Sequence, residues 1–409
     1  MTDLKTPSSH DFQTYADLVG KQGGHFDVLN KWAGDQCKNA DGLDGLLYPL
    51  RDAVTSASGF FTGKLAQCDR GMGVIADKIH KTSTDYTTHD QNMAKNIRSL
   101  YPTPIAHFPD IGADPNLPHM GEFTDESVKL KEPTGAEKDT AKNIEHQIWA
   151  IQAKLKGGGE LAAAEHIYKL CTGHSLIEQL VHPLLGDYGR LLYLHGAYSE
   201  LSDGIYTVAA TLRKGSWALA DEWIGEAATA FDSYMFQWTM GIGGVGDTAK
   251  EAADIYKAGY GVVIGLVYAA LAKIDKLMAD ELHRLEKEAL EMGATDLSIE
   301  AIGLGPEDPL ADIGVGLYTG YKMYKIYKEV KKVVTIISVI TDIYKAISAA
   351  VAGMSKAIHG LKQFIDSPMT LPTVGSLIND VEQHGFRFEQ SGAWNATAGA
   401  SRIKMLPQA

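Results

Sequence analysis

The sequence predicts an all-α protein, an elongated helical bundle built from helical hairpins with long coiled-coil-like helices. Three observations carry this. Of the 14 prolines, six (Pro102, Pro104, Pro109, Pro115, Pro118 and Pro133) fall between residues 102 and 133, whereas Pro183 stands alone from 134 to 305 and none occurs from 310 to 367. Proline lacks an amide donor and clashes with the preceding turn, so the proline-free stretches are those free to form long helices. Second, apolar residues recur at alternating steps of three and four: Leu191, Leu194, Tyr198, Leu201, Ile205, Val208 and Leu212 fall on one helical stripe. A longer stripe runs through Ile336, Ile340, Ile343, Ile347, Val351, Met354, Ile358, Leu361 and Ile365, about 45 Å of helix at 1.5 Å per residue. Third, the period-2 alternation that strands require is nearly missing, and Phe386-Arg-Phe388 is its best instance.

Read along the chain, residues 1–101 form a first helical unit and 102–140 a Pro-rich acidic linker. Residues 141–293 form a helical hairpin with an apolar extension, 294–366 long amphipathic helices, and 367–409 an irregular or strap-like tail. Glycines mark the expected breaks at 157–159, 241–246, 293 and 303–309.

Composition excludes several classes. With 45% apolar and 22% charged residues the chain reads as folded. Fifty-one acidic against 38 basic residues give a net charge of −13, which repels phosphate backbones, so no nucleic-acid partner is expected. Three cysteines, Cys37, Cys68 and Cys171, cannot all pair and form no CxxC, so free thiols are expected. The first ten residues carry no apolar h-region, which argues against a conventional signal peptide. The longest uncharged run, Ala258 to Ala272, is shorter than the roughly 18 to 20 residues of a membrane-spanning helix, and a soluble chain is expected.

Ser216 to Trp238 carries the most specific pattern. Gly225 permits a reversal of the chain, Ala227, Ala228 and Ala230 allow two helices to approach closely, and Trp223, Phe231 and Trp238 fill the wedge between them. The spacing places a corner at Trp223 to Gly225. W-x-G followed by A-A-x-A-F and a tryptophan, after a leucine-striped helix, resembles the WXG family of helical hairpins exported by type VII (ESX) secretion systems, over about residues 185–260. That family's export signal, Y-x-x-x-[DE], is incomplete here, because Tyr260 stands four residues after Tyr256 where an acid belongs.

The N-terminal unit supplies it. Tyr86 and Asp90 lie one helical turn apart, presenting a ring and a carboxylate on one face, and Ala94 follows. Y-x-x-x-D-x-x-x-A closing a helical unit of this size resembles the EspC-like type VII substrates. Trp32-Ala-Gly34 is a second, weaker W-x-G. The resemblance implies a non-enzymatic protein made in the cytoplasm and secreted without a cleavable signal peptide, serving as a virulence or host-interaction factor. It implies the type VII secretion machinery or a chaperone as partner, with self-association, and two such units in one chain could cover each other's apolar seams.

Other patterns fall short of chemistry. Gly241-Ile-Gly243-Gly-Val-Gly246 fits the dinucleotide fingerprint, but a helical pattern precedes it where a strand is needed, and a flexible break in a helix is the expected reading. Gly59 to Lys64 misses the phosphate-loop spacing by one residue. His166, Cys171 and His174 do not share a helical face. No catalytic residues, cofactor or metal are expected. The alternative is a membrane-acting all-α pore-forming toxin, in which Val262, Val263, Ile264, Leu266 and Val267 of the 258–272 segment meet the bilayer. A basic aromatic stretch, Tyr318, Tyr321, Tyr324 and Tyr327 among Lys322, Lys325, Lys328, Lys331 and Lys332, would then contact anionic lipid.

Overall fold

A computed structural model describes residues 5–85, 95–97, 99, 123–133, 138–291, 317–362, 385–387 and 402–407. The chain is all-α, and no strand occurs among the described residues. The helices are α1 (Ser9–Asp35), α2 (Leu50–Asp85), α3 (Lys138–Leu155), α4 (Ala162–Thr172), α5 (Gly189–Ala220), α6 (Glu226–Leu277), α7 (His283–Glu291) and α8 (Leu317–Gly360).

Local chemistry fixes their ends. Ser8 caps α1 by accepting from the Asp11 amide at 3.1 Å, while the Asp11 carboxylate accepts from the Ser8 amide, satisfying donors that a helix start leaves open. Gly173 ends α4 at φ 74°. A single π turn, Met278–Leu282, joins α6 to α7, so the two make one rod.

Antiparallel α1 and α2 pack against each other, as do α5 and α6, and the two pairs share a core. The predicted α5 stripe is that core: Leu191, Leu194, Tyr198, Leu201, Ile205, Val208 and Leu212 are all fully buried. Tyr15 of α1 donates to the Leu212 carbonyl at 2.9 Å, and Tyr198 stacks on Tyr256 of α6 at 5.7 Å. Where helices touch most closely the sequence has glycine: a Cβ on Gly71 would enter the Trp238 ring, and one on Gly215 the Tyr15 ring.

The same core extends along α8, which runs antiparallel to the α6–α7 rod. Gly259 meets Met354, Glu281 meets Lys332 at 4.0 Å and Glu288 meets Lys325 at 3.4 Å. Each step up the rod is matched by an equal step back along α8. The buried stripe of α8 is Ile326, Val330, Val333, Ile337, Ile340, Tyr344, Ile347, Val351, Met354, Ile358 and Leu361.

Several expectations need correction. The stripe passes through Ile337 and Tyr344, leaving Ile336 and Ile343 at its edge. Gly241 to Gly246 is no break, because α6 is continuous from 226 to 277. Part of the expected linker is docked: Phe123, Val128 and Leu130 pack on the core, Gln22 donates to Asp125 at 2.6 Å, and Leu130 and Val128 lie against the bare backbone of Gly204. Gly385–Arg387 is a 3-10 turn, with Phe386 edge-on to Trp217 at 5.3 Å. The uncharged-run criterion also missed α8, whose residues Met323–Gly360 are long and apolar enough to cross a membrane by length and composition. Asp342 and Lys345 interrupt its apolar run, but they form an ion pair of 2.8 Å with each other.

Candidate functional site at the tryptophan corner

The corner between α5 and α6 closes one end of the helical core. Ala220 ends α5, Gly225 adopts φ 142° and ψ 178° and precedes α6, a backbone conformation that disfavours any side chain. Trp223 is buried, edge-on to Phe12 of α1 at 4.9 Å and tilted against Phe231 of α6 at 5.4 Å. The segment before α1 covers the outside: the Ile224 amide donates to the Lys5 carbonyl at 2.9 Å, and Lys5 Nζ to the Asp221 carbonyl at 3.3 Å. Trp223 and Gly225 lie between the end of α5 and the start of α6, and the tryptophan touches both α1 and α6.

Beside Trp223 an apolar groove opens between the end of α2 and the start of α6, lined by Phe12, Ile75, Ile79, Phe231 and Tyr234. Thr82 and Ile97 also line it. Burial raises the Tyr234 hydroxyl to a pKa of about 12, so it is a neutral donor at physiological pH. Lys78 is the cation at the rim. Among the described residues the groove is mostly apolar, with Lys78 at its edge.

Tyr86 and Asp90 lie outside the described residues, between Thr82 and Ile97. Trp32 sits in the last turn of α1 and donates through Nε1 to the Ala197 carbonyl at 2.9 Å, so it ties α1 to α5 and forms no corner. Tyr256 is buried against Tyr198, where it serves packing. Within the 258–272 segment, Val263 and Val267 are buried, Ile264 and Leu266 are half-buried, and Val262 is exposed. These five do not make one outward surface, because the helical period of α6 turns Val263 and Val267 towards α8 and the core.

Sequence reading missed a second constellation, at the far wall of the core. Arg402, near the C-terminus, is buried and ion-pairs with Asp247 of α6, which also accepts from the Tyr206 hydroxyl of α5. Burial lowers the Arg402 pKa to about 10, with Tyr206 opposing, so the guanidinium stays charged at neutral pH. Ile403, Met405 and Leu406 are buried beside it, and Gln67 of α2 donates to the Pro407 carbonyl at 2.8 Å. The glycines explain the fit. A Cβ on Gly241 would meet Leu406 at 2.5 Å and one on Gly243 would meet Arg402 at 3.0 Å. The apparent nucleotide fingerprint is therefore the seat of the C-terminal segment, a role readable only once residues 402–407 are placed beside it.

Comparison with protein-family models, with curated proteins and with solved structures found no match to this chain.

Proposed function

We propose that this protein is a non-enzymatic substrate of a type VII (ESX) secretion system, exported folded, with Tyr86 and Asp90 as its export element and Trp223 and Gly225 as the helix turn. The architecture proposed with it is an elongated bundle of two helical hairpins, α1–α2 and α5–α6, with a coiled-coil-like seam between α8 and the α6–α7 rod. Each hairpin covers the apolar stripe of the other, so one chain supplies what two separate hairpins would otherwise need to associate.

One observation carries the reading: Thr82 and Ile97, which flank Tyr86 and Asp90 in sequence, both line the groove beside Trp223. The two sequence features that resemble the family are far apart in the chain, yet the segment holding one begins and ends beside the other. The secretion machinery or a dedicated chaperone is the proposed partner, and the Tyr86 ring and Asp90 carboxylate are the groups it would read. A role in virulence or host interaction follows from export and belongs to the same proposal.

The experiment is a secretion assay in a strain with an active type VII system. Tyr86→Ala and Asp90→Ala should accumulate inside the cell while circular dichroism of the purified variants matches the parent. Export of both at the parental level refutes the assignment.

A further inference from the structure

A surface helix ordinarily turns charged residues to solvent, as α7 does with Arg284, Lys287 and Glu291. The outward face of α8 does not. Along it lie Val334, Thr335, Ser338, Val339, Ala346, Ser348, Ala349, Ala352 and Gly353, all exposed. From Val333 to Ser355 the charged residues are Asp342 and Lys345, one turn apart and paired with each other. Only 28% of the most apolar stretch of the helix is buried, so its hydropathy is not explained by a place inside the core.

Length and flanks point the same way. Val333–Ser355 spans about 34 Å at 1.5 Å per residue, close to the roughly 30 Å hydrocarbon thickness of a bilayer. Lys328, Lys331 and Lys332 precede it, with Glu329 paired to Lys332 at 2.7 Å, and Lys356 and Lys362 follow, so both flanks are net positive on a protein whose net charge is −13. Tyr324 and Tyr327 stand exposed at the first collar, where amphipathic rings suit a headgroup layer. In contrast, the 258–272 run between Lys257 and Lys273 spans only about 22 Å, and its Val263, Val267 and Leu271 are buried. Finally, α8 packs mainly on α6, with further contacts to α2 and α7, so one side of the helix completes the core while the other faces outward.

We propose that α8 is a membrane-entering helix: its Val333–Ser355 stretch, stored against α6 in the structure described here, crosses an anionic lipid bilayer. Its Ile, Val and Met side chains, now turned inward, would exchange one apolar environment for another, while the Tyr344 hydroxyl would give up its bond to the Leu180 carbonyl. The Asp342–Lys345 pair reduces the cost of the two charges that must enter, and the lysine collars hold the ends at the two headgroup layers. This rests on α8 alone and is independent of the export reading.

The test uses the full chain and vesicles of phosphatidylglycerol and phosphatidylcholine, against phosphatidylcholine alone. The parent should float with the anionic vesicles. Val339→Glu with Ala346→Glu places charges on exposed positions, so circular dichroism and melting should match the parent, while vesicle partitioning falls on the order of 100-fold. Lys328→Glu with Lys331→Glu should reduce it by about tenfold or more. Val74→Glu, on the exposed side of α2, should leave it unchanged. Depth is read from a fluorophore on Ala346→Cys in a Cys171→Ser background, since Cys37 and Cys68 are buried. Quenching by acyl-chain spin labels and not by headgroup labels is expected. Absence of flotation, flotation unaffected by Val339→Glu/Ala346→Glu, or quenching from the headgroup layer alone would each overturn the proposal.

Discussion

The backbone of Gly259 in α6 lies directly against the thioether of Met354 in α8, with no room between them for a β-carbon. This contact sets the register of the α6–α8 seam, since the ion pairs of Glu281 with Lys332 and Glu288 with Lys325 fall at equal steps from it. Gly259→Ala should therefore destabilise the protein by roughly 1–3 kcal/mol through overpacking. Gly261, two residues on, faces open space, and Gly261→Ala should stabilise by up to about 1 kcal/mol through helix propensity. Urea denaturation of both variants checks the contrast. Adding Met354→Ala to Gly259→Ala should recover part of the loss, and strict additivity of the two would contradict the contact.

At the corner, Gly225 sits at φ 142°, and Trp223 is held between Phe12 and Phe231. Gly225→Ala should cost about 1–3 kcal/mol by backbone strain alone. Trp223→Ala should cost about 3–5 kcal/mol, because it empties a fully buried site between two helix pairs. Thermal melts followed by far-ultraviolet circular dichroism would measure both, and a neutral Gly225→Ala would show that the turn tolerates a side chain.

What the sequence made legible follows from distance along the chain. The α5 stripe could be read because its period is local and each position holds an unambiguous apolar residue. In α8 two adjacent residues competed for the seam at each of two turns. Tyr344 takes the buried place over Ile343 because its hydroxyl donates to the Leu180 carbonyl at 2.7 Å, a partner 164 residues away. Gly241 and Gly243 looked like breaks since their neighbours, Leu406 and Arg402, lie far along the chain. The proline-rich stretch read as a linker, yet Val128 and Leu130 find a seat at Gly204, where the absent side chain is the recognisable feature only after folding. The Trp223–Gly225 corner was legible because aromatic, glycine and alanine positions all fall within a short span.

The ion pair of Arg402 with Asp247 joins the C-terminal segment to α6 inside the core. Removing the guanidinium leaves the buried Asp247 carboxylate without its cation, so Arg402→Met should destabilise by about 3–5 kcal/mol. Arg402→Met with Asp247→Leu removes both charges and should recover much of that loss. Guanidinium denaturation of the single and double variants distinguishes the cases. A double variant no more stable than Arg402→Met would mean that the segment is held by Ile403, Met405 and Leu406 instead.

Cysteine chemistry gives a prediction in pH. Burial disfavours the thiolate, raising Cys171 to about 11 and Cys68 to about 12, the latter against the opposing effect of Lys64, and pushing Cys37 well up. Cys171 is the partly exposed one. At pH 8 a thiol of pKa about 11 is ionised about 100-fold less than one of pKa about 9, so alkylation by iodoacetamide should be slow and should be seen first at Cys171. The sign for stability follows from the same shift. A thiol that resists ionisation when folded ionises more readily when unfolded, so its contribution to stability is fully present below the unfolded pKa of about 9 and is lost as pH climbs through the folded value. Mass spectrometry of peptides alkylated between pH 7 and 10 should show Cys171 labelling rise with pH without a plateau. A curve that bends over between pH 9 and 10 would give Cys171 the ordinary thiol pKa of about 9 and contradict its packing against the core.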